Sequence, residues 1–324
     1  MRHINSSLRS SLDTWALGLL LVAAACSSAS NDRPPPPSVP TIGEPAELPE
    51  PRTEVAGATW HSRIAVAGGL TADARASSRF DLYVPETNVW EPGPALPVSL
   101  HHLGLATSGD RLYVVGGYTT TADGEWLPQA AVYSLGPGEA TWPAEPSLKA
   151  PRGSPGVAAV HGRLVVTGGV TGDVAASTET WAPGDAAWRS GPDLKERREH
   201  LAMATLGGRV YAIAGRNPDN LRSVESWDGR EAAWRGEPSV NYARGGIAAT
   251  TVGDKVCVAG GEEPQGTIGS VECLSGGRWQ KVATMRVPRH GLAVAALDSK
   301  LHVIAGGPQP GLFVSGTHEV IEVG

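Results

Sequence analysis

Short apolar segments recur along the chain, and most of them end at a pair of glycines. The clearest copies read RLYVVGG at 111–117, RLVVTGG at 163–169, KVCVAGG at 255–261 and KLHVIAGG at 300–307. Apolar runs of this length, bounded by glycine, predict buried β-strands and are too short for helices. Matching glycines recur every 45 to 52 residues, a period typical of solenoids, propellers and other repeat arrays. They are Gly69, Gly117, Gly169, Gly215, Gly261 and Gly306.

Each repeat divides into four strand-length segments, which predicts an all-β fold. The first segment is built of small residues, as in LGLATS at 103–108, and small residues fit strands that lie close to a central axis. A two-residue turn such as Gly109-Asp110 then leads into the apolar second segment.

The third and fourth segments carry larger side chains at fixed positions. In the third, we assign an acid followed two residues later by an aromatic or aliphatic residue: Asp81/Tyr83, Glu179/Trp181, Glu225/Trp227, Glu272/Leu274 and Glu319/Ile321, with Ala131/Tyr133 as the exception in the second repeat. The fourth is marked by Trp90, Trp142, Trp188, Trp234 and Trp279. Large aromatic rings at a constant phase are suited to packing neighbouring sheets face to face.

A glycine pair, an acid-x-aromatic pair and a later tryptophan at this spacing resemble Kelch repeats over about residues 41–324. The resemblance implies a single domain, a six-bladed β-propeller of Kelch type with four antiparallel strands per blade. The sixth repeat lacks a fourth segment, but TIGEPAELPEPR at 41–52 aligns with VWEPGPALPVSL at 89–100. We therefore expect an N-terminal strand, with Ile42 at the tryptophan position, to complete the last blade and close the ring.

Composition agrees with an all-β fold, and the net charge restricts the classes of partner that the protein can bind. The 41 glycines and 26 prolines, against 2 phenylalanines and 3 methionines, suit short strands and turns better than helical packing. A formal net charge of -6 argues against a nucleic-acid partner, which requires a basic face.

The first 25 residues predict a lipoprotein signal peptide. Arg2 and Arg9 precede the apolar run WALGLLLVAAA at 15–25, which is too short to span a bilayer as a helix. The run ends at Cys26 and resembles a bacterial lipobox, which implies lipidation of that cysteine. Ser27 stands where an aspartate typically retains such proteins in the inner membrane, so we expect an outer-membrane lipoprotein of the cell envelope. An ordinary secretory signal is the alternative.

Residues 26–40 contain the lipidated cysteine and a Pro-rich segment with four consecutive prolines. Such a segment predicts a semi-rigid tether that extends roughly 3 Å per residue. It would hold the propeller, residues 41–324, off the membrane.

Five repeats carry an arginine just before the first strand, at a turn that should lie near the central opening. They are Arg52, Arg152, Arg198, Arg244 and Arg289, and Leu100 replaces the arginine in the second repeat. A basic ring would bind carboxylate or phosphate groups, and Kelch propellers that bind acidic peptides use arginines at the matching turn. The alternative is that each arginine forms an ion pair with an acid of a neighbouring blade.

Histidines and acids gather at the same turns. They are His101, His102, His200, His290, Glu54 and Glu199. A metal site needs three or four ligands within bonding distance, and these residues come from different blades. We assign no metal and no cofactor.

Two loops after the glycine pairs carry Trp126 and Phe313, which we predict to anchor a partner. In the alternative, each loop folds onto its own blade. The second and third strands of the fifth repeat carry Cys257 and Cys273, positions that a hairpin would place opposite each other. Export permits a disulfide between them, and two buried thiols are the alternative.

These features favour a non-enzymatic binding module, a lipid-anchored monomer that binds a protein, an acidic peptide or a glycan of the envelope. No catalytic residue stands out. The alternative is an epimerase or mutarotase for an acidic sugar such as sialic acid, with arginines holding the carboxylate and Glu54, Glu199 or a histidine as the base. The fold alone cannot separate these hypotheses, because propellers host many functions.

Overall fold

The computed structural model describes residues 44–324, and the regular structure of this region is entirely β. The predicted signal peptide, Cys26, the tether and Ile42 lie outside the described residues. Within residues 44–324, no helix is long and apolar enough to cross a bilayer.

The strands form six consecutive antiparallel sheets, which we number as blades 1 to 6. Blade 1 contains β1 (Ala56–Trp60), β2 (Arg63–Ala67), β3 (Phe80–Val84) and β4 (Val89–Pro92). Blade 2 contains β5 (Gly104–Ser108), β6 (Arg111–Val115), β9 (Val132–Leu135) and β10 (Ala144–Glu145). Blade 3 contains β11 (Gly156–Val160), β12 (Arg163–Thr167), β13 (Thr178–Trp181) and β14 (Arg189–Ser190). A separate hairpin in blade 2 pairs β7 (Tyr118–Thr120) with β8 (Trp126–Pro128).

The other three blades follow the same order. Blade 4 contains β15 (Ala202–Leu206), β16 (Arg209–Ile213), β17 (Val224–Trp227) and β18 (Arg235–Glu237). Blade 5 contains β19 (Gly245–Val252), β20 (Lys255–Glu263), β22 (Ser270–Ser275) and β23 (Arg278–Thr284), with β21 (Gly266–Thr267) paired to β20. Blade 6 contains β24 (Ala293–Leu297), β25 (Lys300–Ile304) and β26 (His318–Glu322). The predicted six-bladed, all-β Kelch propeller is confirmed.

The first strands of neighbouring blades lie against one another at the axis, which explains their small residues. A Cβ added to Gly104 would lie 2.1 Å from Val157 Cγ2, and one added to Gly57 would lie 2.6 Å from Ala293 Cβ. Both contacts are far closer than packed carbon atoms allow, so larger side chains would push the blades apart.

Tryptophans in the fourth strands, or one or two residues before them, join each blade to the one before it. Each is buried, and its indole Nε1–H donates to a backbone carbonyl of the chain that leaves the preceding blade, at 2.7 to 3.0 Å. The pairs are Trp90 with Ala46, Trp142 with Pro94, Trp188 with Pro146, Trp234 with Pro192 and Trp279 with Pro238. A buried indole therefore gains both packing area and a satisfied donor.

The N-terminal segment closes the ring in the predicted register. Ala46 occupies the place of Pro94, and the Leu48 N–H donates to Gly316 O at 2.8 Å, as the Leu96 N–H does to Ser78 O. Blade 6 has three strands among the described residues, and the predicted fourth strand at Ile42 lies outside them.

The five arginines do not line an open channel, which corrects the prediction of a basic ring available to a ligand. All five are at most 1 % exposed, and each pairs with the acid of the third strand in its own blade. The pairs are Arg52–Asp81, Arg152–Glu179, Arg198–Glu225, Arg244–Glu272 and Arg289–Glu319. The alternative hypothesis named the correct acids but placed them in the neighbouring blade.

Each arginine also connects two blades through its backbone. The Arg198 carbonyl accepts from the Gly169 N–H of blade 3 at 2.8 Å, while the Arg198 guanidinium donates to Ala214 O and Ser223 O of blade 4. Ala214 stands first in the Ala-Gly pair and has a φ of 48°, so its carbonyl turns towards the guanidinium. Gly68, Gly168 and Gly260 have the same role in blades 1, 3 and 5.

Blade 2 reaches the same geometry without charge. Leu100 is fully buried at the arginine position. Val114 of blade 2 and Val66 of blade 1 are equivalent residues of the second strand. Val66 pairs with the acid Asp81, whereas Val114 pairs with Tyr133. Tyr133, and not Ala131, therefore occupies the acid position. Leu100 and Tyr133 pack in one apolar cluster, and Leu135 takes the aromatic position. The sequence alignment was wrong by two residues here, because the loop that contains β7 and β8 lengthens this repeat.

Blade 2 suggests a direct test of the buried pairs. We expect Arg198→Leu to lower the free energy of unfolding by about 3–5 kcal/mol, because it leaves the Glu225 carboxylate buried without its cation. The double variant Arg198→Leu/Glu225→Tyr reproduces the residues of blade 2 and should recover most of this loss. Urea unfolding of the three proteins measures the difference. A loss below about 1 kcal/mol for the single variant would show that the pair is not structural.

Candidate ligand site at the channel mouth

The mouth face of the propeller carries the connections between consecutive blades and the loops after the paired glycines. Two residues after each arginine position, the backbone adopts a left-handed conformation in all six blades, with φ between 48° and 68°. The six residues form the axial ring: Glu54, His102, Ser154, His200, Gly246 and Gly291.

Backbone hydrogen bonds link neighbouring members of the axial ring. The His102 N–H donates to Glu54 O at 3.0 Å, and the Ser154 N–H donates to His102 O at 3.1 Å. Gly246 donates to His200 O and Gly291 donates to Gly246 O in the same way. The ring therefore fixes the side chains of four different blades around one axis.

Four members of the axial ring are not glycine, although glycine adopts this conformation without strain. Gly246 and Gly291 show that glycine fits the turn, whereas a side chain there costs of order 1–3 kcal/mol. Glu54, His102 and His200 keep ionisable side chains in spite of that cost. Strain retained at converging polar residues indicates a functional site.

The side chains of the axial ring surround a cavity of about 70 Å³. Glu54 Oε2 lies 3.2 Å from His102 Nε2, and Glu54 Oε1 lies 3.2 Å from His290 Nδ1. The three side chains are at most about a tenth exposed. His102 and His200 contact each other with ring centroids 4.7 Å apart.

A chain of charged residues extends from this cluster towards solvent. His200 Nδ1 contacts Glu199, whose other oxygen accepts from Arg216 Nε at 2.6 Å. Arg216 also donates from Nη1 to Glu262 at 3.0 Å, and Glu262 Oε2 lies 3.6 Å from His290 Nδ1. Sequence reasoning missed Arg216 and Glu262. Their shared position, immediately after Gly215 in blade 4 and Gly261 in blade 5, was the available signal.

The pKa values separate two kinds of histidine in the cluster. Burial lowers the pKa of His102 well below its ordinary value, and Glu54 offsets only part of this effect. Burial likewise lowers the pKa of His101 to about 4. Burial also acts to lower the pKa of His290, but the hydrogen bond and charge of Glu54, together with Glu262, raise it above its usual value. At neutral pH, His290 is therefore the better cation and His102 is neutral.

The two acids of the cluster stay ionised. Burial acts to raise the pKa of Glu54, but His102, His290 and His200 more than compensate and hold it well below its ordinary value. For Glu199, the raising effect of burial is outweighed by His200 and Arg216, so this pKa is also lowered. The cluster thus combines carboxylates with neutral imidazole, a set of hydrogen-bond acceptors and metal ligands.

The predicted aromatic anchors stand beside this cluster. Trp126 lies on β8 with its ring centroid 4.7 Å from that of His101, and 46 % of the residue is exposed. Phe313 is 43 % exposed in the loop after Gly307. In that loop, Gln309 O and Gly311 O lie 3.0 and 3.1 Å from His290 Nε2. Both loops rest partly on the cluster and leave an aromatic ring in solvent.

Cys257 and Cys273 lie directly opposite each other in β20 and β22, and the structure joins them by a disulfide. Both residues are fully buried in the sheet of blade 5. The disulfide connects strands within that blade and contributes no side chain to the cluster.

Comparisons with known proteins agree with this architecture. Residues 197–241 match the Kelch motif. Kelch repeat and BTB domain-containing protein 1 of cowpox virus (strain Brighton Red) is 24% identical over 181 residues, 56% of this chain and 28% of the viral protein. Beta-scruin of Limulus polyphemus is 25% identical over 138 residues, 41% of this chain and 15% of that protein. The matched region therefore spans less than a third of either relative.

A solved structure described as YjhT superposes with a TM-score of 0.74 over 86% of this chain and 96% of that one, at 16% sequence identity. This likeness concerns the fold. The repeats, the motif match and the six sheets make this chain a six-bladed β-propeller of the Kelch-repeat type.

The strain in the axial ring can be measured. We expect Ser154→Gly to raise the free energy of unfolding by about 0.5–1 kcal/mol, because glycine adopts the left-handed conformation freely. The reverse change, Gly246→Ser, should lower it by about 1 kcal/mol or slightly more. Urea unfolding of both variants tests the pair. If Ser154→Gly destabilises the protein, the serine side chain stabilises the fold and the strain argument does not apply to it.

Proposed function

We propose that this propeller is a protein-binding module of the cell envelope that docks its partner on the mouth face. A Kelch β-propeller is typically a protein-interaction module. The observation that carries the proposal is the group of exposed apolar side chains on one face, around the polar axial cluster. Trp126, Leu312, Phe313 and Tyr242 are each between 42 and 47 % exposed. Exposed aromatic residues around a polar centre are typical of binding hot spots.

The size of the axial cavity supports a protein partner over a sugar substrate. Its volume of about 70 Å³ is several times below the roughly 300 Å³ at which small-molecule pockets begin. The acidic-sugar mutarotase also loses the arginines that were to hold its carboxylate, since all five are buried in ion pairs.

The charges at the mouth indicate which polar group of a partner fits there. Arg216 is flanked by Glu199 and Glu262, so its charge is already neutralised. Together with Glu54, these acids outnumber the two cations of the cluster, Arg216 and His290. This centre is better suited to a partner group that donates hydrogen bonds, such as a hydroxyl, an amide or a basic side chain. It is less suited to the acidic peptide that the sequence predicts.

Docking on the mouth face predicts a large effect from one side chain. We expect Trp126→Ala to weaken capture of the partner from solubilised envelope by about 30-fold or more, the size of a hot-spot loss of 2 kcal/mol. The matched control is Val89→Ala, because Val89 is 48 % exposed at the hairpin between β3 and β4, on the opposite face. Quantitative mass spectrometry of proteins retained by wild type and both variants gives the ratio.

Two outcomes would contradict docking on this face. One is equal retention of every captured protein by wild type and Trp126→Ala. The other is acceleration of the interconversion of sialic acid anomers by the purified protein, followed by proton NMR, which would favour the enzyme hypothesis.

The envelope location rests on Cys26 and the residues around it, so it is tested separately. We expect the wild-type protein to partition into detergent and to sediment with outer membranes, and Cys26→Ser to lose both properties. Ser27→Asp keeps the lipidated cysteine and should move the protein to inner-membrane fractions. If Cys26→Ser fractionates like wild type, the protein is not anchored through this residue.

A further inference from the structure

Three side chains of the axial ring converge on one point. Ligand atoms from Glu54, His102 and His200 all lie within 4.8 Å of one another. The Glu54 Oε2–His102 Nε2 distance is 3.2 Å. Two ligand atoms about 2.1 Å from a tetrahedral metal ion are themselves about 3.4 Å apart. One pair therefore already has the spacing of metal ligands, and the His200 ligand atom lies within 4.8 Å of both.

Each of these side chains is held by a second residue through its other polar atom. Glu54 Oε1 is held by His290 Nδ1 at 3.2 Å, and His102 Nδ1 lies 2.6 Å from His101 Nδ1. His200 Nδ1 contacts the Glu199 carboxylate, which leaves Nε2 free to bind. Outer partners that fix the ring orientation and tautomer of ligating histidines are a general feature of metal sites.

The neutral His102 imidazole has two tautomers, and each gives a different contact with Glu54. If His102 donates its Nδ1–H to His101, its Nε2 presents a lone pair to the Glu54 carboxylate oxygen, and the two acceptors need a cation between them. If the Nε2 carries the proton, the contact is a simple hydrogen bond. Zinc would select the first tautomer.

The surrounding charge favours a cation at this point. Glu54, Glu199 and Glu262 contribute three carboxylates against two cations, the Arg216 guanidinium between the two outer acids and His290 beside Glu54. The backbone of the three ring residues is fixed by the left-handed turn and its hydrogen bonds, so little order has to be gained on binding.

We propose that Glu54, His102 and His200 form a binding site for one divalent transition-metal ion of the zinc class. Two imidazoles and one carboxylate are ligands that Zn²⁺ prefers. Three protein ligands leave a fourth position towards the axial cavity, and that position can take water or a donor atom of a bound partner. The site does not depend on the identity of any protein partner.

Zinc binding by the full-length protein tests the site directly. The protein is purified in detergent, stripped with a chelator and dialysed against micromolar Zn²⁺. We expect about one zinc per chain in the wild type and close to none in His102→Ala/His200→Ala. A matched control, His61→Ala/His161→Ala, removes two histidines from tight turns of the opposite face and should keep one zinc. Zinc should also raise the unfolding midpoint of the wild type and the control only.

Substitution of an outer partner separates a built site from a loose cluster. Glu199→Gln keeps all three ligands but weakens the support of His200, so we expect the zinc stoichiometry to persist with an affinity lower by about 10–100-fold. Co²⁺ bound to the wild type should give the visible spectrum of a four-coordinate site. If the double histidine variant does not fold, this spectrum and the Glu199→Gln affinity still decide the question.

Two results would overturn the proposal. One is a wild-type protein that binds no zinc and gives no four-coordinate cobalt spectrum. The other is a folded His102→Ala/His200→Ala variant that binds as much zinc as the wild type. Either result would leave the cluster as a network of buried ion pairs and hydrogen bonds.

Discussion

The buried pair between an arginine and a third-strand acid is the interaction on which the blade arrangement depends. The arginine backbone belongs to the hydrogen-bond network of the preceding blade, while its guanidinium bonds the acid and the turned carbonyls of its own blade. Since both charges are removed from water, the pair tolerates little displacement of one sheet against the next. In blade 2, Leu100 and Tyr133 keep the same spacing by apolar packing. The fold therefore requires that two side chains fill the space at this junction. In five blades these side chains are an ion pair, and in blade 2 they are apolar.

The same junction determines where functional side chains can stand. Once the arginine is fixed, the chain has two residues in which to turn into the first strand, and it does so through a left-handed residue at the axis. Every blade therefore delivers one residue to the axial ring, and four of the six carry a side chain. The same turn brings His290, the residue before Gly291, into contact with Glu54, although 236 positions separate them. Sites of this kind can change from blade to blade without altering the scaffold, because the turn requires only a left-handed residue, and Gly246 and Gly291 provide one with no side chain.

Charge is distributed very differently in the scaffold and at the mouth. The scaffold neutralises its five arginines inside the blades, one acid to each. The mouth instead combines carboxylates and imidazoles with Arg216, which is shared between two acids. A protein with five repeated arginines near its axis thus presents an acceptor-rich centre to its surroundings. The chemistry of that centre favours cations and hydrogen-bond donors over anions.

The sequence by itself determined the repeat, the strands of each blade and the segment that closes the ring, because these follow from local patterns of apolar, small and glycine residues. It also named both possible roles of the arginines, but only packing could decide that Arg198 is buried against Glu225. The position of Tyr133 depended on a strand register that an inserted hairpin obscured. Glu54, His102 and His200 share one position in their repeats, two residues after the arginine position, but this pattern does not give the distances between blades. Only closure of six blades around one axis placed them within reach of a single ion, since each blade contributes one ring residue and the contact exists only between blades.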